Sequence, residues 1–152
     1  MPEAFGTHHS KMLILFKHDD TAQVIIHTAN MISRDWTNMS QAVWRSPSLG
    51  ILKADVKSEP TTLGSGGRFK TDLLRYLKFY GNRLPGLVDE LQRYDFSCIR
   101  AALVASVPSK AHETSSASTK FTAWGWPGLR HILSNLPPRP VTKKSARINV
   151  QV

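Results

Sequence analysis

Large apolar and β-branched residues run from Leu13 to Phe16 and again from Gln23 to Thr28, separated by the polar stretch His18-Asp19-Asp20-Thr21. Strand-forming runs around a turn-forming tetrapeptide predict an antiparallel hairpin, with strands over residues 10–17 and 22–29. Val43 and Trp44 belong to a third short strand at residues 42–46, which Ser46-Pro47-Ser48 breaks. Between strands, Ser33-Arg34-Asp35-Trp36 predicts a helical turn capped by Ser33. Residues 47–67 are rich in Pro, Ser, Gly and Thr and predict a flexible linker ending at Leu63-Gly64-Ser65-Gly66-Gly67. That ending lacks the Gly-x-x-x-x-Gly-Lys spacing of a phosphate cradle.

The periodicity then changes. Phe69, Leu73, Tyr76, Leu77 and Tyr80 recur at helical spacing, which predicts an amphipathic helix over residues 68–80. Arg68, Lys70, Arg75 and Lys78 fall off the apolar stripe and read as its exposed, solvated face. A second helix at residues 85–95 places Pro85 in its first turn and Leu87, Val88, Leu91 and Tyr94 on one face. Residues 99–107 form a nearly continuous apolar run, predicting a strand buried on both faces. A third helix at residues 126–135 is stopped by Pro137-Pro138, with Trp124 and Trp126 anchoring it to the sheet. Residues 108–120, including His112, and residues 137–146 read as exposed loops, and a last strand is predicted at 147–152. The fold class is α/β, a mixed sheet flanked by helices.

At 152 residues with 41% hydrophobic content, the chain suits one domain with a real core. Twenty Lys and Arg against eleven Asp and Glu give a formal charge of +9, which favours a polyanionic partner, nucleic acid before a membrane surface. The single Cys98 excludes an intramolecular disulfide and reads as a small core residue. No segment has the apolar length of a membrane span, and Met1-Pro2-Glu3-Ala4 opens no secretory signal, so the expectation is a soluble intracellular chain.

Against this background the chemistry concentrates at Gly6-Thr7-His8-His9-Ser10-Lys11-Met12. On a strand, alternate residues share a face, so His9 and Lys11 project together while Ser10 projects the other way. Antiparallel pairing returns Asn30 towards them from the end of the second strand. An imidazole nucleophile, an ammonium to neutralise phosphate oxygens and an amide donor suit phosphoryl transfer. No other His-x-Lys occurs, because His18, His27, His112 and His131 all lack a Lys two positions on, and no metal-ligand spacing is recognisable.

Phe5-Gly6-Thr7-His8-His9-Ser10-Lys11-Met12, Val24-Ile25-Ile26-His27-Thr28-Ala29-Asn30, Asp35-Trp36 and Gln41-Ala42-Val43-Trp44 together resemble the first active-site motif of the tyrosyl-DNA phosphodiesterases, in the phospholipase D superfamily. Phe69-Lys70-Thr71-Asp72-Leu73 and Gly125-Trp126-Pro127-Gly128-Leu129 resemble later parts of the same N-terminal half, in a fungal-like form. The resemblance implies a phospholipase D-like half-domain that removes tyrosine and other adducts from DNA 3′ phosphates during nuclear DNA repair. It further implies His9 as nucleophile, forming a phosphohistidine, with Lys11 and Asn30 on the phosphate, Gln41 in support, Phe5 and Lys11 on DNA, and no metal or cofactor. Family members carry two His-Lys-Asn sets and this chain one, so the second set is expected from a C-terminal half or a second chain. The start just before the first motif and the end before the Ser-rich DNA-contacting segment fit a truncated product. The rival expectation is a basic DNA-binding fragment without catalysis. A superfamily phospholipase or other nuclease fits less well, given Asn30 in place of Asp and the Gly-Thr-His-His context.

Overall fold

The computed structural model describes residues 9–53, 60–107 and 123–136. Expectations for Phe5, for the loops at 108–120 and 137–146, for His112 and for the strand at 147–152 fall outside them.

Strand β1 (Met12–Phe16) pairs antiparallel with β2 (Ala22–His27), from Met12 opposite Ile26 to Phe16 opposite Ala22. The turn closes where Asp20 adopts a left-handed φ of 57°, a conformation Asp tolerates better than most residues. Thr21 donates to Asp19 Oδ1 through its hydroxyl at 2.6 Å and its amide at 3.2 Å. These bonds, the hydroxyl's first, hold the Asp19 carboxyl below its usual range. Strand β3 (Val43–Arg45) extends the sheet on the β2 side, giving the order β1-β2-β3.

One sheet face carries Ala22, Val24, Met12, Ile14, Ile26 and Trp44 into the core. Helix α2 (Gly66–Lys78) covers it with Phe69, Leu73, Tyr76 and Leu77, its Ser65 cap accepting from the Arg68 amide. Trp44 and Phe69 place their ring centroids 5.2 Å apart, and Phe69 and Phe96 6.4 Å apart. The mixed α/β class stands, with a small antiparallel sheet and α1 (Ser33–Thr37), α3 (Leu87–Gln92) and α4 (Gly125–Ser134) beside α2. No helix among the described residues is long and apolar enough to cross a membrane.

Several expectations are overturned. Residues 99–107 form no strand. Ile99 and Leu103 are buried and Ala101, Ala105 and Val107 pack beside them, whereas Val104 is 48% exposed, so the run is not buried on both sides. An apolar run does not encode a pairing edge, and the Ala105 carbonyl is taken by the Gly125 amide at 2.7 Å. The 47–67 segment is no simple linker: Leu49 is fully buried and exchanges two backbone hydrogen bonds with Ala22, and Gly66 and Gly67 open α2. Helix α3 is shorter than expected because Gly86, at φ 73°, makes the turn into it, leaving Pro85 outside.

The basic face of α2 is also mostly committed to internal partners. Arg68 is 3% exposed and pairs with Asp72 at 3.2 Å; Lys70 donates to the carbonyls of Gln92 and Tyr94; Arg75 lies 4.5 Å from the Trp124 ring. Lys78 remains exposed. Trp124 anchors α4 to α2 through Tyr76 and Phe79, not to the sheet, while Trp126 is 76% exposed and anchors nothing. Cys98 is exposed, since it lies in the turn after Phe96 and not in the core. Ile32, not Ser33, holds the cap position of α1 and makes no side-chain bond there.

Candidate active site

The Lys11 carbonyl accepts from the His27 amide at 3.1 Å, so the hairpin ladder continues one pair past β1 and sets Lys11 beside His27. Because Met12 and Ile14 face the core, Lys11 faces away from it. There its Nζ lies 2.6 Å from His9 Nδ1 and 3.1 Å from the His9 carbonyl. Ser10 turns the other way, its Oγ 2.7 Å from Tyr76 OH on α2. An ammonium only donates, so Nδ1 is the acceptor in this contact.

Asn30 leaves β2 at the same end of the hairpin, and a buried carboxylate holds it. Asp35, 6% exposed, accepts at Oδ2 from the Asn30 amide at 2.6 Å and from Asn30 Nδ2 at 2.9 Å. Trp36 Nε1 donates to the Asn30 carbonyl at 2.8 Å. Main chain and side chain are therefore both fixed, with the side chain bonded to Asp35 and not to His9 or Lys11. Gln41 does not touch the pair either: its Oε1 accepts from Thr28 Oγ1 at 2.5 Å and its Nε2 donates to the Asp35 carbonyl at 3.2 Å. Its amide ties the strand end to the helix that carries Asp35.

Asp35 is the residue that sequence reasoning passed over. A carboxylate five positions after Asn30, in a short helix, was the available signal. Asp35→Ala leaves the Asn30 amide and Nδ2 without their acceptor and is expected to destabilise the chain by about 1–3 kcal/mol. Asp35→Asn, which keeps an acceptor oxygen, is expected to lose less. Chemical denaturation measures the difference, and equal losses would show that the carboxylate does not hold Asn30.

Among the described residues no group of three His, Cys, Asp or Glu side chains could hold a metal ion. The arrangement offers an imidazole, an ammonium and a fixed amide at one end of a hairpin, with a core behind it.

Comparison with known proteins agrees with the family resemblance. The tyrosyl-DNA phosphodiesterase family profile matches residues 1–152. A probable tyrosyl-DNA phosphodiesterase of Schizosaccharomyces pombe is 31% identical, over 87% of this chain and 32% of that protein. Tyrosyl-DNA phosphodiesterase 1 of Drosophila melanogaster is 34% identical, over 88% of this chain and 22% of its own length. A crystal structure of a yeast tyrosyl-DNA phosphodiesterase mutant superposes with a TM-score of 0.54 at 27% identity, covering 71% of this chain and 24% of that one. The chain thus spans between a fifth and a third of the relatives it matches. On the match over its whole length, the chain belongs to the tyrosyl-DNA phosphodiesterase family.

Proposed function

We propose that this chain carries the nucleophilic half of a phosphodiester-cleaving site acting on tyrosine and other adducts at DNA 3′ phosphates, in nuclear DNA repair. His9 attacks phosphorus, the bond from phosphorus to the tyrosyl oxygen breaks, and the phenolate leaves with its electron pair and takes a proton from solvent. Water then displaces imidazole from phosphorus, leaving a 3′-phosphate and a regenerated His9. Lys11 neutralises the phosphate oxygens and Asn30 donates to them. Gln41 supports the set by holding the segment that carries Asp35, and Phe5 is assigned to DNA stacking from the motif alone. A C-terminal half or a second chain supplies the acid and base that this chain lacks.

The observation that carries the reading is the Lys11 ammonium seated on the His9 imidazole at 2.6 Å. Family membership and a charge of +9 add to it. The rival reading, a basic DNA-binding piece without chemistry, rests on the single His-x-Lys. Release of tyrosine from a 3′-phosphotyrosyl oligonucleotide under single-turnover conditions separates the two. Binding to that oligonucleotide is expected to weaken steeply with salt, because phosphate contacts release counterions. Salt-independent binding in titrations would remove the phosphate-centred account.

A further inference from the structure

Residues 9 and 10 lie outside the ladder of β1, so the strand alone does not fix the way the His-x-Lys pair projects. Ser10 occupies the middle of that motif and its hydroxyl leads to the opposite side. Ser10 Oγ and Tyr76 OH are 2.7 Å apart, and Tyr76 OH and Tyr80 OH 3.0 Å apart. Tyr76 and Tyr80 stand one helical turn from each other on the face of α2 and its C-terminal extension that meets the sheet. Tyr76 is 3% exposed and its ring is packed edge-on against both Tyr80 and Trp124. The three hydroxyls stand in a row along a cleft of about 280 Å³ whose other walls, such as Ile14 and Leu84, are apolar. A hydroxyl that loses its partner in apolar surroundings is unfavourable, so moving Ser10 away from Tyr76 carries a cost.

We propose that Ser10, Tyr76 and Tyr80 are positioning residues for the His9–Lys11 pair, clamping the motif's central residue to α2 so that its two neighbours meet on the far side of the strand. The proposal rests on the function proposed above for its catalytic meaning, but its geometry is independent of any reaction. Ser10 is the only residue between His9 and Lys11, so a rotation of its backbone moves both flanking side chains at once. Tyr80 also stays protonated: burial first, and then the hydrogen bond with Tyr76, push its phenol well above the usual range. Its hydrogen-bonding character is therefore unchanged across physiological pH.

The test uses the full chain with Ser10→Ala, Tyr76→Phe, the rescue variant Ser10→Thr, and Thr71→Ala as a control. Thr71 loses a hydroxyl on the same helix, one that donates to the Gly67 carbonyl at 2.8 Å and is remote from the row. Two readouts are taken: nitrogen-15 resonances of the His9 imidazole, which need no substrate, and the single-turnover rate of tyrosine release. Ser10→Ala and Tyr76→Phe are expected to move the His9 Nδ1 resonance in the same direction and to slow release on the order of 10- to 100-fold. Ser10→Thr restores both and Thr71→Ala moves neither. Tyr76→Phe keeps the ring and its packing, so it carries the test if Ser10→Ala does not fold. A folded Tyr76→Phe protein with an unchanged His9 resonance and an unchanged rate overturns the clamp while leaving the function intact. A shifted resonance in a chain that releases no tyrosine upholds the clamp and overturns the function.

Discussion

Incubated with a labelled 3′-phosphotyrosyl oligonucleotide, the His9→Ala protein is expected to retain no DNA covalently, whereas the unaltered chain is expected to release tyrosine and keep the DNA on its imidazole. The size of the effect follows from what the first step needs. Tyrosine leaves as a phenol of intrinsic pKa about 10, a tolerable leaving group even without an acid, so attack by a well-placed imidazole proceeds slowly on its own. Alanine offers no nucleophile, and loss of an attacking group of this kind lowers rates by roughly 10⁴-fold or more. The retained species should be lost in acid and persist in base, as a phosphorus–nitrogen bond requires. A serine or tyrosine adduct would survive acid and point to another residue.

The chain by itself is expected to make a single turnover. Cleaving the phosphorus–nitrogen bond needs an activated water, and the sequence holds a single His-x-Lys. Adding a separately expressed C-terminal half is expected to restore release of the DNA. Sustained turnover by the monomer would instead require a base within this chain and would end the half-site account.

Much of this geometry can be read from residue order. The hairpin is legible because period-two alternation and turn chemistry act locally, whereas His9 and Ser10 lie ahead of β1, where alternation alone does not fix how they project. Asp35 is less so: the sequence places it in a helical turn, and only its burial and the two Asn30 donors show what its carboxylate holds. Lys70 could not be separated from a solvated face, because its acceptors are backbone carbonyls at Gln92 and Tyr94, remote in sequence. The run at 99–107 has a strand's composition, but composition carries no information about which edge would pair with it. Tyr76 illustrates the same limit from within the core. Its helical spacing foretold burial, and nothing in that spacing foretold that its hydroxyl would meet Ser10.

Gly66 is where one added methyl group is expected to do most damage to the fold. Gly66 and Gly67 read as the end of a linker, yet a Cβ at Gly66 would fall 1.8 Å from the Phe96 carbonyl oxygen and 2.5 Å from its carbon. Those atoms are backbone and cannot rotate away. The segment that carries them is tied on both sides: the Asp95 amide donates to Gly50, Lys70 Nζ donates to the Tyr94 carbonyl, and the fully buried Phe96 ring meets Phe69. Relief requires α2 to move off this segment, opening the contact between Phe69, Phe96 and Trp44. Alanine favours helix over glycine by about 1 kcal/mol in a helix interior, which does not offset such a clash. Gly66→Ala is expected to cost about 3 kcal/mol or more, lowering the melting temperature by roughly 6–12 °C for a chain of this size. Gly50→Ala is the matched control, because a Cβ there meets nothing within 4 Å and is expected to leave stability almost unchanged. The loss should reach the site as well, since α2 carries Tyr76 and so the contact that holds Ser10. Equal melting temperatures for the two variants would mean that α2 does not press on the Phe96 carbonyl, and the support drawn here from the core to His9 and Lys11 would lose its foundation.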